Sequence, residues 1–252
     1  MRHRNLTISM LGAAALALAA QAAPAAASGL SVSPSILEHS AHAGGVGSVT
    51  ITNTTSGTLK INVKARPWVQ SLSGAVAPSQ SKELSGMRLS RTSFSLGAGA
   101  QSTVSLKLVG KPSDGSLFGC LEVRGTPTRH SKHGITVAYR LISTLRLNPS
   151  RKTLKAQVEG LGVVGKSSHS TLALTIRNRG NTVDPIGGTV RLTGPRGTLT
   201  DTVTSTRIIP GGRVRVTLQS LRKVPGGSYS ASVSLTQDGR TVTRASRRIR
   251  LP

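Results

Sequence analysis

The sequence is poor in the residues that most often reveal a chemistry. Its 252 residues contain a single cysteine, Cys120, so no disulfide can form within the chain. Aromatic residues make up only 2%, and the eight aspartates and glutamates are scattered without a paired-carboxylate motif. No Gly-x-Ser-x-Gly nucleophile elbow occurs. We therefore predict that the protein is not an enzyme and uses no cofactor, and we expect Cys120 to be a buried, unreactive thiol.

Long apolar runs are absent after the first 20 or so residues, and the start of the chain is typical of an export signal. Arg2 and Arg4 precede an apolar run that continues to about Ala20, and three alanines precede Ser28. We predict a cleavable signal peptide over residues 1–27, with a second possible cleavage site after Ala22. A retained membrane anchor is the alternative. No later segment is long enough to span a bilayer, so we expect a secreted or extracytoplasmic, envelope-associated protein without a transmembrane helix.

Short runs of alternating apolar and polar residues fill the rest of the chain, and glycine, proline and asparagine separate them. In the stretch from Gln101 to Leu108, every second residue from Val104 on is apolar, which is the period of a strand with one buried face. Together with Leu117–Val123 it predicts two antiparallel strands joined by a Pro/Gly loop. The pattern also predicts a polar loop over Ser71–Gly86 and one long strand from Ile135 to Leu147.

Two successive rounds of such strands predict two domains. Seven segments up to Pro149 favour an antiparallel sandwich, and further segments from residue 150 on favour a second one. The two rounds share a motif, Val49-Thr-Ile-Thr-Asn53 and Leu174-Thr-Ile-Arg-Asn178. In the second round, Gly187-Gly188 predicts a turn and Asp238-Gly239 a tight hairpin. We predict an all-β fold with a first domain at 28–149 and a second at 150–252.

The residues of the central stretch also resemble a known arrangement. Phe94-x-Leu96, a glycine turn, an alternating strand and Gly119-x-Leu121-x-Val123 resemble the end of the first immunoglobulin-like domain of two bacterial families. One is the periplasmic pilus chaperones, and the other is the WxL-protein-interacting, peptidoglycan-binding surface proteins. Asn178-Arg-Gly180-Asn181 resembles the later domain of the second family. The resemblance implies two tandem immunoglobulin-like antiparallel β-sandwiches, the first meeting peptidoglycan and the second a protein partner.

The sequence departs from both families. The WxL-interacting proteins typically end in a membrane helix, and this chain does not. Pilus chaperones hold a client carboxylate with an arginine on the first strand and a lysine near the end of the last strand of the first domain. Here the first strand, Ser33–Leu37, has no arginine, and the last strand offers only Arg140 and Arg146 as cations. These two arginines are the candidates for contact with a client strand.

Basic residues are the strongest compositional signal. The chain has 33 lysines and arginines against eight acids, a net charge of +25. After the predicted signal peptide, the charge divides into +9 for 28–149 and +14 for 150–252. Binding to an anionic envelope polymer is the functional interpretation, and a solvated basic surface is the alternative. Single-stranded nucleic acid is disfavoured because no aromatics alternate with the basic residues. The polymer-binding candidates are Arg213, Arg215, Arg244, Arg247, Arg248 and Arg250.

Two sequence motifs match the consensus of a nucleotide or metal site but lack the structural context that such a site requires. Gly160–Ser167 fits the Gly-x-x-x-x-Gly-Lys-Ser pattern, but that mechanism needs a helix after the last glycine, and a strand pattern follows here. We interpret it as a turn between two strands. The pairs His39/His42 and His130/His133 have the spacing of helical zinc ligands but lie in predicted turns without cysteine partners. We predict neither nucleotide nor metal.

Two hypotheses about function remain. The first is an exported, non-enzymatic protein that contacts peptidoglycan or another anionic wall polymer and a surface protein. The alternative is a periplasmic chaperone-like protein that pairs an edge strand with an exported client.

Overall fold

The computed structural model of the protein describes residues 29–129, 134–165, 171–195, 197–220 and 226–251. In these residues the chain is all-β, with 17 strands and no helix. The strands form four sheets that pack as two immunoglobulin-like sandwiches. This confirms the predicted fold class. The predicted signal peptide lies outside the described residues, and the exact domain limits stay predictions. No helix that could cross a membrane occurs in the described residues.

The first sandwich consists of sheet 1 (order β1-β3-β8-β6) and sheet 2 (order β2-β10-β9-β4-β5, with β7 also on β4). Its strands are β1 (Leu30–Ser33), β2 (Ile36–Ser40), β3 (Gly44–Asn53), β4 (Leu59–Gln70), β5 (Val76–Pro78), β6 (Met87–Leu89), β7 (Ser93–Leu96), β8 (Gln101–Leu108), β9 (Leu117–Pro127) and β10 (Tyr139–Asn148).

The first segment of the chain passes from one sheet to the other at Pro34. β1 pairs with β3 in sheet 1, and after the cis Ser33-Pro34 bond β2 pairs with β10 in sheet 2. The first strand is therefore interrupted at Pro34, which is typical of a proline within a strand pattern. The β2–β10 pairing is parallel, whereas every other described pairing is antiparallel. The prediction of purely antiparallel sheets is wrong at this one place.

The central stretch departs from the predicted hairpin. β8 pairs with β3 and β6 in sheet 1, whereas β9 pairs with β4 and β10 in sheet 2. The Pro/Gly loop between them crosses from one layer of the sandwich to the other. The predicted polar loop Ser71–Gly86 also contains β5, which pairs with the end of β4.

The second sandwich consists of sheet 3 (order β11-β12-β15) and sheet 4 (order β14-β13-β16-β17). Its strands are β11 (Ala156–Val164), β12 (Thr171–Asn178), β13 (Ile186–Gly194), β14 (Gly197–Thr206), β15 (Arg213–Ser220), β16 (Gly227–Gln237) and β17 (Arg240–Leu251). The Asp238-Gly239 hairpin is confirmed, with positive φ at both residues. Gly187-Gly188 is not a turn but lies within β13, beside an irregularity in its pairing with β14.

Valine, leucine and isoleucine build both cores, as the scarcity of aromatics requires. Val49 and Val104 of sheet 1 pack with Val63, Val123 and other residues of sheet 2. In the second sandwich, Leu174 of sheet 3 packs with Val233 and other residues of sheet 4, and Tyr229 is the one aromatic residue in that cluster. Each buried side chain of this size contributes about 1.5–3 kcal/mol to folding.

The end of the β4–β5 hairpin contacts the second sandwich. The Gln70 side chain donates to the carbonyl of Arg207 (2.9 Å) and accepts from the amide of Ile209 (3.0 Å). The carbonyl of Leu72 accepts from the amide of Arg215 on the edge strand β15 (2.7 Å). The Gln70 side chain and the Leu72 carbonyl thus connect the first sandwich to backbone groups of the second.

Candidate functional site

A buried carboxylate lies on the face of sheet 2 that points away from the core. Its neighbours on β9, Leu121 and Val123, belong to the core, so Glu122 points outward, yet it is only 1% exposed. Three arginines from three strands cover it. Arg66 of β4 donates to Oε2 (2.5 Å), Arg124 of β9 donates to Oε1 (2.9 Å), and Arg140 of β10 also donates to Oε1.

The arginines control the protonation of this carboxyl. Burial alone would raise the pKa of Glu122, but hydrogen bonds from Arg124, Arg140 and Arg66 lower it to about 2. Arg66 is itself buried and donates to the carbonyls of Ser79 and Gln80 (both 3.0 Å). The cluster therefore joins three strands and the segment after β5. It also engages Arg140, one of the two predicted client-contact arginines.

Cys120 lies two residues before Glu122 on β9 and is fully buried. Burial and the nearby Glu122 carboxylate raise the pKa of its thiol to about 11. Because the thiolate is the reactive form, this environment suppresses reactivity. The prediction of a buried thiol is confirmed.

Cys120 should therefore resist alkylation in the folded protein. At pH 8 we expect a maleimide to label less than about a tenth of the protein in the time that labels a free thiol completely, because almost no thiolate is present. Addition of denaturant should give full labelling of this one residue. Rapid stoichiometric labelling without denaturant, followed by mass spectrometry, would contradict the burial of Cys120.

Strand β10 has one edge that is only partly covered. β9 pairs with it along Tyr139–Leu147, but β2 pairs only with Thr144–Asn148 on the other side. The amide of Thr144 donates to Ser35 on that second side, and backbone groups alternate in direction along a strand. The backbone groups of Arg140 and Ile142 therefore also face this side, where no described strand pairs with them.

The chain directly before this open edge exposes apolar side chains in the period of a strand. Ile135 is 92% exposed and Val137 is 54% exposed. The sequence predicts a strand from Ile135 onward, but β10 begins only at Tyr139. The prediction is wrong for residues 135–138 because no described neighbour pairs with them. Ile142, whose side chain points away from the core, is 39% exposed as well.

The six predicted polymer-binding arginines do not form one surface. Arg213 and Arg215 lie on β15 and share the outer face of sheet 3. Arg244, Arg248 and Arg250 share the outer face of sheet 4. Arg247 points to the other side of β17 and donates to the carbonyl of Val158 across the sandwich edge (3.2 Å). Arg248 and Arg250 share one face because they are two residues apart on a strand, but the six candidates together do not form a single patch.

The described residues of the nucleotide-like and zinc-like sequence motifs do not form a nucleotide or zinc site. Gly160 to Val164 form the end of β11 rather than the predicted turn, and the strand predicted after the motif is β12. Lys166 and Ser167 lie outside the described residues, as do His130 and His133. His39 is on the exposed strand β2, and the described residues contain no group of three metal-ligating side chains.

The sequence analysis did not predict the cluster around Glu122, although two of its four residues lie on the same strand. Glu122 and Arg124 are two apart on one strand, so they share a face. Arg66 and Arg140 come close only through the pairing of β4 and β10 with β9, which places Lys64 and Ile142 opposite Glu122. The strand alternation alone predicts an exposed glutamate.

Comparisons with known proteins give likenesses in structure only. No family model matches the chain, and no curated protein matches it. The WxL-interacting resemblance therefore has no support from a family model. Among solved structures, the chain is similar to one from a chaperone–tip adhesin complex of CFA/I fimbriae, with 11% identity and a TM-score of 0.48, covering 87% of this chain and 98% of that one.

Two further chaperone structures show a similar level of similarity. The class 5 fimbriae chaperone CfaA has 12% identity and a TM-score of 0.46, covering 88% of this chain and 99% of its own. The E. coli chaperone DraB has 13% identity and a TM-score of 0.42, covering 86% and 95%. With TM-scores below 0.5, these likenesses carry no functional conclusion for this chain.

Proposed function

We propose that the protein acts outside the cytoplasm as a non-enzymatic binding protein, which adds an extended segment of an exported client as a strand along the open edge of β10. The observation that carries this proposal is the exposed apolar pair Ile135 and Val137, placed in strand period directly before that edge. Apolar side chains next to unpaired backbone groups are the two components that strand addition requires.

A client strand would pair with the open backbone groups and would bury the exposed apolar side chains. The outward backbone groups of Arg140 and Ile142 would pair with the client backbone, which supports affinity without dependence on sequence. Burial of Ile135, Val137 and Ile142 would add up to about 1.5–3 kcal/mol for each side chain that becomes fully buried. A client with apolar residues at alternate positions fits this edge best.

The two predicted client-contact arginines have different environments on β10. Arg140 is held by the Glu122 carboxylate and so contributes to the fold of sheet 2. Arg146 takes part in no ion pair among the described residues and is half-buried farther along β10, where β2 pairs with the strand. Of the two predicted client-contact arginines, Arg146 is therefore the one that we propose meets a client carboxylate.

Photocrosslinking in the producing cells tests the proposal. A photoreactive amino acid at Val137 should crosslink to an exported protein, whereas one at Val109 should not. Val109 is a matched control, because it is 47% exposed and follows the end of β8, a strand of sheet 1 rather than sheet 2.

A second substitution tests whether the contact is strand pairing. Ile142→Pro removes one outward N–H from the edge but leaves the groups that face β9 in place. Crosslinking from Val137 should fall at least about tenfold in this variant, because a lost backbone bond and a lost apolar contact together exceed about 1.4 kcal/mol. Equal crosslinking at Val109, or full crosslinking in a folded Ile142→Pro variant, would contradict the proposal.

A second candidate function is attachment to an anionic envelope polymer through the second sandwich. The net charge of +14 from residue 150 on favours it. Contact of the first sandwich with peptidoglycan is implied by the resemblance alone, and it stays a prediction. The distribution of arginines on sheet 4 makes the polymer candidate more specific.

A further inference from the structure

Across the aligned rows of its four strands, the outer face of sheet 4 carries only serine, threonine and arginine side chains. The pairing of β14, β13, β16 and β17 aligns outward-facing residues in rows across the sheet. The rows are Thr198–Thr193–Ser230–Arg248, Thr200–Arg191–Ser232–Ser246 and Thr202–Thr189–Ser234–Arg244, and Ser228 pairs with Arg250 at the end. We call this surface the hydroxyl–arginine face.

The arginines of this face form no ion pair with a described acidic residue. No ion pair formed among the described residues involves Arg191, Arg244, Arg248 or Arg250. On this face, Arg244, Arg248 and Arg250 of β17 each lie opposite a serine of β16, and Arg191 lies opposite Ser232. No described carboxylate therefore neutralises their positive charge, which is directed to the surroundings.

The opposite surface of the same sandwich is different. On the outer face of sheet 3, Glu159 pairs with Arg177 (3.2 Å) and lies 3.9 Å from Arg213. A carboxylate thus neutralises part of the positive charge there. A general excess of arginine in this chain would not by itself separate the two faces in this way.

Protection of a sheet edge explains only part of the pattern. Charged residues on an edge strand such as β17 discourage pairing with other chains. Arg191, however, lies on the interior strand β13, between β14 and β16. From the strand spacing and rise, its Cα lies roughly 12 Å from those of Arg244 and Arg248. The three arginines therefore surround Ser232 and Ser246 from three directions.

The geometry points to the hydroxyl–arginine face as a binding site for a linear polyol-phosphate polymer, in which phosphodiesters alternate with hydroxyl-bearing units. A guanidinium binds a phosphate with two parallel hydrogen bonds, and serine and threonine hydroxyls can donate to phosphate or exchange hydrogen bonds with a polyol. A shallow pocket beside residues 228–230 and 248–250 offers one place for a phosphate. A flat sheet with repeated rows suits a repeating ligand.

The same residues disfavour other polyanions. The face has no aromatic side chain, so nucleobases would find nothing on which to stack. Carboxylate polymers would satisfy the arginine charge but would leave most of the hydroxyl rows without the alternating acceptors and donors that a polyol phosphate supplies. The site is on the second sandwich and does not depend on client pairing at β10.

Binding of the full two-sandwich protein to purified poly(glycerol phosphate) tests the inference. Four arginine–phosphate contacts predict that affinity falls about 50- to 150-fold between 50 and 200 mM salt, by the slope of roughly 0.7–0.9 per contact that holds for nucleic acids. The variant Arg191→Ser/Arg244→Ser/Arg248→Ser should retain only about a quarter of that slope and bind at least tenfold more weakly at 50 mM salt.

A charge-matched variant separates the face from net charge. Arg213→Ser/Arg215→Ser/Arg247→Ser removes the same charge from other surfaces and should bind within about threefold of the wild type. Equal loss in the two triple variants would overturn the inference, because the attraction would then follow net charge alone. Equal wild-type affinity for polyglutamate or for single-stranded DNA of the same charge would overturn the choice of ligand.

Folding of the variants is checked separately. Exposed substitutions of this kind usually change stability by less than about 0.5 kcal/mol each, so both triple variants should unfold close to the wild type. If the Ser variant unfolds, Arg191→Lys/Arg244→Lys/Arg248→Lys provides the second test. This change keeps the charge but removes the two-pronged phosphate contact, so affinity should fall at least threefold with little change in salt slope. Undiminished affinity in that variant would overturn the inference.

Discussion

Replacing Glu122 by glutamine should lower the free energy of unfolding by about 3–5 kcal/mol at pH 7. The substitution leaves the shape almost unchanged but removes the charge that three arginines share. Arg66 is the decisive partner, because it is 7% exposed and would keep its charge in the interior without a counterion. Arg124 and Arg140 are about half exposed and would turn to water at little cost.

An exposed ion pair on the same sandwich provides the control. Lys64 and Glu83 are 3.0 Å apart, with side chains 52% and 67% exposed. Glu83→Gln should cost less than about 1 kcal/mol, since water screens such pairs. Denaturant unfolding of both variants measures the difference. If the two substitutions cost the same, burial of the Glu122 cluster is not the source of its stabilisation.

The same cluster predicts how stability depends on pH. The pKa of Glu122 is about 2 in the folded protein and 4.5 ordinarily, so the folded state binds its proton less readily. Its stabilisation is therefore complete above about pH 4.5 and is lost as the pH falls from there toward 2, a change of roughly 3 kcal/mol. The stability gap between wild type and Glu122→Gln should shrink over that range. A gap that stays constant from pH 7 to pH 2 would contradict this account.

The strands themselves were largely predictable from the sequence, because alternation reports directly which face of a strand is buried. The strand predicted from the alternation of Val104, Leu106 and Leu108 is β8, and the hairpin predicted at Asp238-Gly239 is confirmed. Such features depend on neighbouring residues only. The pattern is local, and so is the physical cause.

Strand partners were less predictable. β8 and β9 alternate as an antiparallel pair would, but alternation does not say whether the next strand continues in the same sheet or crosses to the facing one, about 10 Å away. The eight residues between them are long enough for either course. Only the packing of Val104 and Val123 from opposite layers into one core decides the matter.

The turn predicted from two consecutive glycines was a second wrong prediction. Gly187-Gly188 has the composition of a turn, yet Gly188 lies in β13 with φ of 148°, and a Cβ there would come within 2.0 Å of the Ser234 carbonyl. The glycine is required by a close approach of two strands, not by a reversal of the chain. Sequence alone does not distinguish these two uses.

For the candidate sites, too, the sequence predicts what depends on local pattern but not what depends on strand pairing. The arginines of β17 and their alternation are local, so Arg244, Arg248 and Arg250 are among the candidates that the sequence predicts. Arg191 was missed because its place among them depends on the register of β13 with β16 and of β16 with β17. Arg247 was included because the sequence does not show that it points to the other side.

The second large expected effect concerns the asparagine that ends the sequence motif shared by the two sandwiches. Asn53 ends β3 and Asn178 ends β12, and both are fully buried. The Asn53 amide donates to the carbonyls of Gly57 (2.8 Å), Leu96 (3.0 Å) and Gly97 (2.9 Å). The Asn178 amide donates to those of Thr182 and Ile208, both at 2.7 Å. Each asparagine thus connects two loops at one end of its sandwich.

Asn53→Asp and Asn178→Asp should each lower the free energy of unfolding by roughly 2–6 kcal/mol at pH 7, because two or more buried carbonyls lose their donor. Aspartate has the same shape, but its oxygens face those carbonyls, so burial and repulsion should raise its pKa in the folded state. The destabilisation should therefore be smallest below about pH 4 and grow as the pH rises through the folded pKa.

Asn62→Asp is the matched control, since Asn62 lies on the half-buried outer side of β4, opposite Arg124 on β9. It should cost less than about 1 kcal/mol. The position of each change adds a further test, because two sandwiches need not unfold together. If calorimetry resolves two transitions, Asn53→Asp should lower one of them and Asn178→Asp the other. Variants that unfold like Asn62→Asp, with no dependence on pH, would show that these asparagines do not hold the loops.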